Sequence, residues 1–192
     1  MAKRPPLWGN FVFYADYDLL AFAFLYQGGL RLPAFYHGTQ AAEKYLKALA
    51  LSIIDPDGVT ETPRTAKWIR THDLSKLAQR CESKYSFYSK AAIKTVLQRF
   101  TEFDQLARYP WVKQEYGNGF NSTDLDVFTE LIHRLRNDIP IHLDDYPLGM
   151  AVRGFHQAQP HHEANKYFLG DMTPSVAALR GFFPNVEALV RW

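Results

Sequence analysis

Apolar side chains recur every three or four positions through the first three quarters of the chain, and that period confines it to packed helices. The clearest run holds Ile93, Val96, Leu97, Phe100, Phe103 and Ala107 and ends at Pro110, the signature of one helix with a continuous buried face and a proline stop. A second run follows Pro33 through Phe35, Ala42, Leu46 and Leu49, proline being suited to a first helical turn. A third carries Leu125, Phe128, Leu131, Ile132 and Leu135 and stops before Pro140, with Thr123 and Asp126 resembling a capping box in front of it. Asp16 or Asp18 is placed to cap a helix through Leu19 to Tyr26, which Gly28-Gly29 breaks. Thr71 reads as the N-cap of a further helix carrying Leu74, Leu77 and Ala78, with Asp73 adding negative charge to its first turn. No two-residue alternation with hairpin turns occurs. The expected fold class is therefore all-α: an antiparallel up-and-down bundle over 1–142, and an irregular, partly helical extension over 143–192 packed on the same domain.

Composition narrows the setting. A chain of 192 residues fits one domain, and 22 Lys and Arg against 20 Asp and Glu leave a net charge of +2. That balance excludes a strongly basic nucleic-acid coat and an acidic disordered tail, while leaving room for a local basic patch. Cys81 is the sole cysteine, so neither an intramolecular disulfide nor a cysteine-rich zinc module is available. The apolar stretch Leu19–Tyr26 is far short of the roughly 20 residues a membrane span needs. The expectation is a cytoplasmic protein without membrane association, metal or cofactor. His156, His161, His162 and Glu163 do not make a recognisable ligand set, since side chains of adjacent histidines diverge.

Two segments carry chemical potential. Gln40, Glu43, Lys44 and Lys47 share one helical face. They read either as a solvated face with a Glu43–Lys47 ion pair or as a cationic strip whose two lysines bracket a phosphate. His72 and Asp73, at the start of a helix, read either as structural donors and caps or as neighbours of an anion site. Arg108, at a helix end, complements the dipole. The richest segment is His133 to His142. His133, Arg136 and Asn137 are expected on one face, away from the Leu131–Leu135 stripe. A guanidinium at Arg136 and an imidazole at His142 suit metal-free RNA cleavage. The histidine would take the 2′-OH proton and the arginine would stabilise charge on the phosphate.

Taken in order, Gln40-Ala41-Ala42-Glu43-Lys44-Tyr45-Leu46-Lys47-Ala48-Leu49, Thr71-His72-Asp73-Leu74 and Ala107-Arg108-Tyr109-Pro110 resemble the HEPN domain family, over roughly Asp16 to Asp138. The resemblance implies an antiparallel helical bundle, commonly a homodimer, that binds nucleotide or RNA. It also implies a small nucleotidyltransferase as partner in a toxin–antitoxin pair. On that reading Lys44, Lys47 and Arg108 meet phosphates, His72 and Asp73 order the neighbouring helix, and Tyr109 stacks on a base. Some members are metal-independent endoribonucleases with a closely spaced Arg…His motif. Arg136 and His142, with Asn137 in the polar position after the arginine, fit that motif as the catalytic set. A non-catalytic helical dimerisation protein is the third reading.

Overall fold

The computed structural model describes residues 7–56, 67–108, 122–140 and 146, and the side chains of 105–108 are outside that description. Among the described residues the regular structure is all helical and no strand occurs: α1 (Leu7–Gln27), α2 (Arg31–Ile54), α3 (Leu74–Glu82), α4 (Ala91–Arg108) and α5 (Ser122–Asp138). Two short 3₁₀ turns, Lys67–Arg70 and Ser86–Ser89, precede α3 and α4. The all-α expectation holds. The extension 143–192, Tyr109 and His142 lie outside the described residues, Tyr146 excepted.

Helix α1 is longer than its sequence pattern suggests. Asp16 and Asp18 sit inside it and cap nothing, because Trp8, Val12 and Ala15 continue the buried stripe of Leu19, Phe22 and Ala23 toward the N-terminus. Its C-terminal end follows the glycine pair as expected. Gly29 adopts φ +78°, a left-handed conformation natural to glycine. Leu30 N–H then donates to the Leu25 carbonyl at 2.9 Å and Gly29 N–H to that of Tyr26 at 3.1 Å, a Schellman closure that satisfies two terminal carbonyls. So short a turn obliges α2 to return antiparallel. Contacts Tyr26–Phe35 and Asp16–Tyr45 trace that register.

Helices α1, α2, α4 and α5 enclose an aromatic centre. Phe128 stacks within 4.4 Å of Phe100 and 5.1 Å of Phe22, centroid to centroid. Gly38 lets these rings approach α2, since a Cβ there would lie 2.9 Å from Phe100 Cε1 and 3.1 Å from Phe22 Cδ2. Thr39 Oγ1 donates at 2.9 Å to Phe35 O in its own helix and lies 3.0 Å from the carbonyl of Phe100 in α4. Tyr85 and Tyr88 stitch the 3₁₀ turn before α4 to the end of α5, their hydroxyls donating to the Asp138 carbonyl and carboxylate at 3.2 and 2.9 Å. Burial, then the Asp138 charge, drives the Tyr88 hydroxyl far above its ordinary pKa, so it remains a donor.

Helix α3 starts two residues later than its Thr71 signal. Asp73 is the N-cap, accepting from Lys76 N–H at 3.1 Å, while Thr71 Oγ1 accepts from Asp73 N–H at 3.2 Å. Partial burial works against the Asp73 charge. The hydrogen bonds from Lys76 and that lysine's own charge outweigh it and hold the carboxyl below its usual pKa. The folded state thus favours carboxylate. The resulting stability is complete above the ordinary aspartate range and is lost as pH falls through the lowered folded value. Asp73→Ala is expected to cost about 1 kcal/mol at neutral pH. Urea titration should find that the gap to wild type closes only in strong acid.

Candidate functional site

Helix α2 lies between the other elements, so its polar side chains face packed neighbours instead of water. Gln40, Glu43, Lys44 and Lys47 do share a face, but Gln40, Glu43 and Lys47 are buried and Lys44 is half-buried. A solvated face is therefore corrected to a covered polar seam. Lys47 Nζ lies 2.6 Å from Glu43 Oε1, the helix ion pair the spacing predicts. Glu43 Oε2 also meets His72 Nδ1 at 3.0 Å, across from the segment that leads into α3. Lys44 turns the other way. Its Nζ is 2.6 Å from Asp18 Oδ2 of α1 and 3.1 Å from Gln40 Oε1, and His37 Nδ1 holds the other Asp18 oxygen at 2.8 Å. Gln40 passes the chain of contacts to Asp104 of α4 at 3.2 Å. Each lysine thus has a carboxylate of its own, and neither is a free cation for phosphate.

The third network is the deepest. Arg136 is 0% exposed, as is Asp16, and its Nη1 donates to Asp16 Oδ1 and to the Tyr45 hydroxyl. Tyr45 donates in turn to Asp16. The expectation that Arg136 shares an outward face with His133 and Asn137 is corrected. Arg136 lies one turn beyond Ile132 and three residues before Ile139, both buried, so its position belongs to the core side of α5. His133 and Asn137 stay nearer the surface, where Asn137 Nδ2 and His133 Nδ1 are 3.2 Å apart. Burial lowers the tendency of Arg136 to hold its proton, but Asp16 and Tyr45 overcome this and raise its pKa. Burial likewise drives the Tyr45 hydroxyl well above its ordinary value, with Arg136 opposing and Asp16 adding to the shift. The network is a buried guanidinium–carboxylate–phenol cluster.

The predicted residues consequently fall into separate places. Lys47 and His72 come together through Glu43, Lys44 joins Asp18, Asp73 caps α3 and Arg136 is enclosed. Tyr109, His142 and the Arg108 side chain lie outside the described residues, as do His156, His161, His162 and Glu163. Cys81 is buried and its thiol is pushed up to about 12, by burial first and then by the Asp138 and Glu82 charges, which makes it a poor nucleophile.

A surface concavity of about 500 Å³ opens elsewhere, between the 3₁₀ turn Lys67–Arg70 and the outer face of α3, lined by Trp68, Thr71, Lys76, Gln79 and Arg80. The Arg80 guanidinium lies over the Trp68 ring, 4.7 Å from its centroid. Lys76 Nζ meets Asp73 Oδ2 at 3.0 Å at the rim. Four cations, Lys67, Arg70, Lys76 and Arg80, stand in this short stretch against one acid, Asp73. That local imbalance was the available sequence signal, hidden by a near-neutral total. No protein-family model matches the chain, and no curated protein and no solved structure does either. No described helix is long and apolar enough to cross a membrane.

The buried cluster makes a direct prediction. Arg136→Ala should destabilise the fold by about 3–5 kcal/mol, because it strands the Asp16 charge in the core. The triple replacement Arg136→Met, Asp16→Leu and Tyr45→Phe should recover most of that loss in urea unfolding. A triple variant no more stable than Arg136→Ala would show that burial of an unpaired charge is not what the single substitution suffers.

Proposed function

We propose that this chain is a HEPN-like helical bundle that binds nucleotide or RNA, and that it does so through the basic edge formed by the 3₁₀ turn Lys67–Arg70 and α3. The observation that carries this reading is the segregation of its cations. Lys44, Lys47 and Arg136 are each paired with a buried or half-buried carboxylate, whereas Lys67, Arg70 and Arg80 are exposed and meet no described carboxylate, and Lys76 is exposed with the Asp73 carboxylate beside it. Phosphate binding draws on cations that water and counter-ions occupy beforehand, since releasing those counter-ions drives association. Lysines already neutralised in a seam supply no such gain. The motif order supports the family reading, and with it a homodimer and a small nucleotidyltransferase partner in a toxin–antitoxin pair. An endoribonuclease using Arg136 would have to extract that arginine from Asp16 and Tyr45, so binding is the function the geometry favours.

Binding of a short single-stranded RNA, followed against salt concentration, tests the proposal. The logarithm of affinity should fall linearly with the logarithm of salt. Replacing Lys67 and Arg70 together by alanine should flatten the slope by about 1.4, roughly 0.7 for each lost phosphate contact. Lys44→Ala should lower stability and leave that slope unchanged. A wild-type protein that binds neither RNA nor nucleotide at low salt would end this reading.

A further inference from the structure

We propose that the concavity between the 3₁₀ turn Lys67–Arg70 and α3 is a phosphate site for a nucleotide, with Arg80 as its principal donor and Trp68 as the residue that positions it. The proposal rests on the nucleotide- or RNA-binding reading above and assigns it a particular pocket.

Arg80, like Arg31 and Arg70, meets no described carboxylate, whereas three other arginines do. Arg99 pairs with Asp124, Arg134 with Asp138 and Arg136 with Asp16. Among the described residues Arg80 forms no ion pair; the nearby Glu82 is committed to Lys94 of α4 at 3.1 Å. Its one contact of note is the indole of Trp68. A cation lying over a ring engages its plane and leaves the N–H edges directed outward. Trp68 is itself half-buried and packed against the core, so its ring is a fixed platform. A guanidinium resting against such a platform has fewer orientations open to it before a ligand arrives, which lowers the ordering cost of binding.

The remaining lining fits an oxyanion. Lys76 and Arg80 stand one helical turn apart on the same side of α3, a rise of about 6 Å, so they can flank one phosphate. Gln79 and Thr71 bring an amide and a hydroxyl to the same concavity. Its volume, about 500 Å³, exceeds what an inorganic anion needs and falls within the range of roughly 300–1,000 Å³ typical of small-molecule sites. A nucleoside can accompany its phosphate there. Both a free nucleotide and an unpaired nucleotide of RNA present this chemistry.

Calorimetry on the full chain at low salt, with AMP, adenosine and a short oligoribonucleotide as titrants, tests the site and its source. AMP should bind and adenosine should bind at least about tenfold more weakly, because the charge-assisted contacts go to the phosphate. Arg80→Ala and Arg80→Lys should each weaken binding about tenfold, the lysine lacking the planar fork. Arg80 is exposed and supports no core contact, so both variants should keep the wild-type melting temperature. Trp68→Leu should weaken binding while Trp68→Phe restores part of it, a rescue that a purely structural role for the indole would not produce. Binding of the oligoribonucleotide alone, with the same dependence on Arg80, would assign the source to an RNA backbone. Ligand binding unaltered in both Arg80 variants would overturn this site and leave the nucleotide- or RNA-binding reading standing. Absence of all binding in wild type would remove both.

Discussion

One buried charge pair determines how this bundle can close. Arg136 reaches from α5 to Asp16 of α1 and Tyr45 of α2, groups separated by 120 and 91 positions in sequence. A guanidinium enclosed in a protein interior is intolerable without an anion beside it. The pairing therefore dictates which turn of α1 faces which turn of α2 and α5, while apolar side chains alone would accept more than one sliding register. Tyr45 accepts from Arg136 and donates to Asp16, so the three helices are specified together. Such a cluster contributes little net stability relative to apolar substitutes, and its strength is against alternatives that would separate its members.

The same logic governs the lysines of α2. A central helix in a small bundle has almost no face left for solvent, and its polar residues persist only where a neighbour supplies the opposite charge. Asp18 of α1 does this for Lys44 and also meets His37; Glu43 does it for Lys47, and draws in His72. These contacts tie α2 to the elements on either side of it. They also remove from the surface the cations that a reading of spacing alone assigns to phosphate.

Helix α4 is legible in its buried stripe of Ile93, Val96, Leu97 and Phe100, because that stripe is long and its spacing regular. The Glu43–Lys47 pair follows from spacing for the same reason: it lies within one helix. Harder to read are features decided between helices. Asp16 has the chemistry of a cap and is buried as an anion partner, and only the position of Arg136 distinguishes those fates. Arg136 itself stands in a basic, histidine-containing segment that resembles a surface motif, yet its place four residues after Ile132 was the clue to its burial. Thr71 and Asp73 both have capping side chains two positions apart, and local sequence does not rank them. The pocket at Trp68 escaped notice because its members come from two short elements and its charge excess vanishes in the whole-chain total.

Arg136 and Arg80 show how one residue type acquires opposite roles within one fold. Around Arg136 the protein provides a carboxylate and a phenol, which engage the N–H edge of the guanidinium and seal it from water. Around Arg80 it provides an indole, whose ring centroid lies 4.7 Å from the guanidinium carbon. The first arrangement turns Nη1 of the arginine onto two interior partners, while the second leaves the guanidinium exposed beside an aromatic ring. Helix α3, which carries Arg80, is anchored: Leu74, Leu77, Ala78 and Cys81 bury its inner face, the His72–Glu43 contact ties its leading end to α2, and Glu82–Lys94 ties its trailing end to α4. A bundle whose interior cations meet carboxylates leaves Arg80 exposed at the mouth of a concavity, with the Trp68 ring beside it and no described carboxylate paired to it.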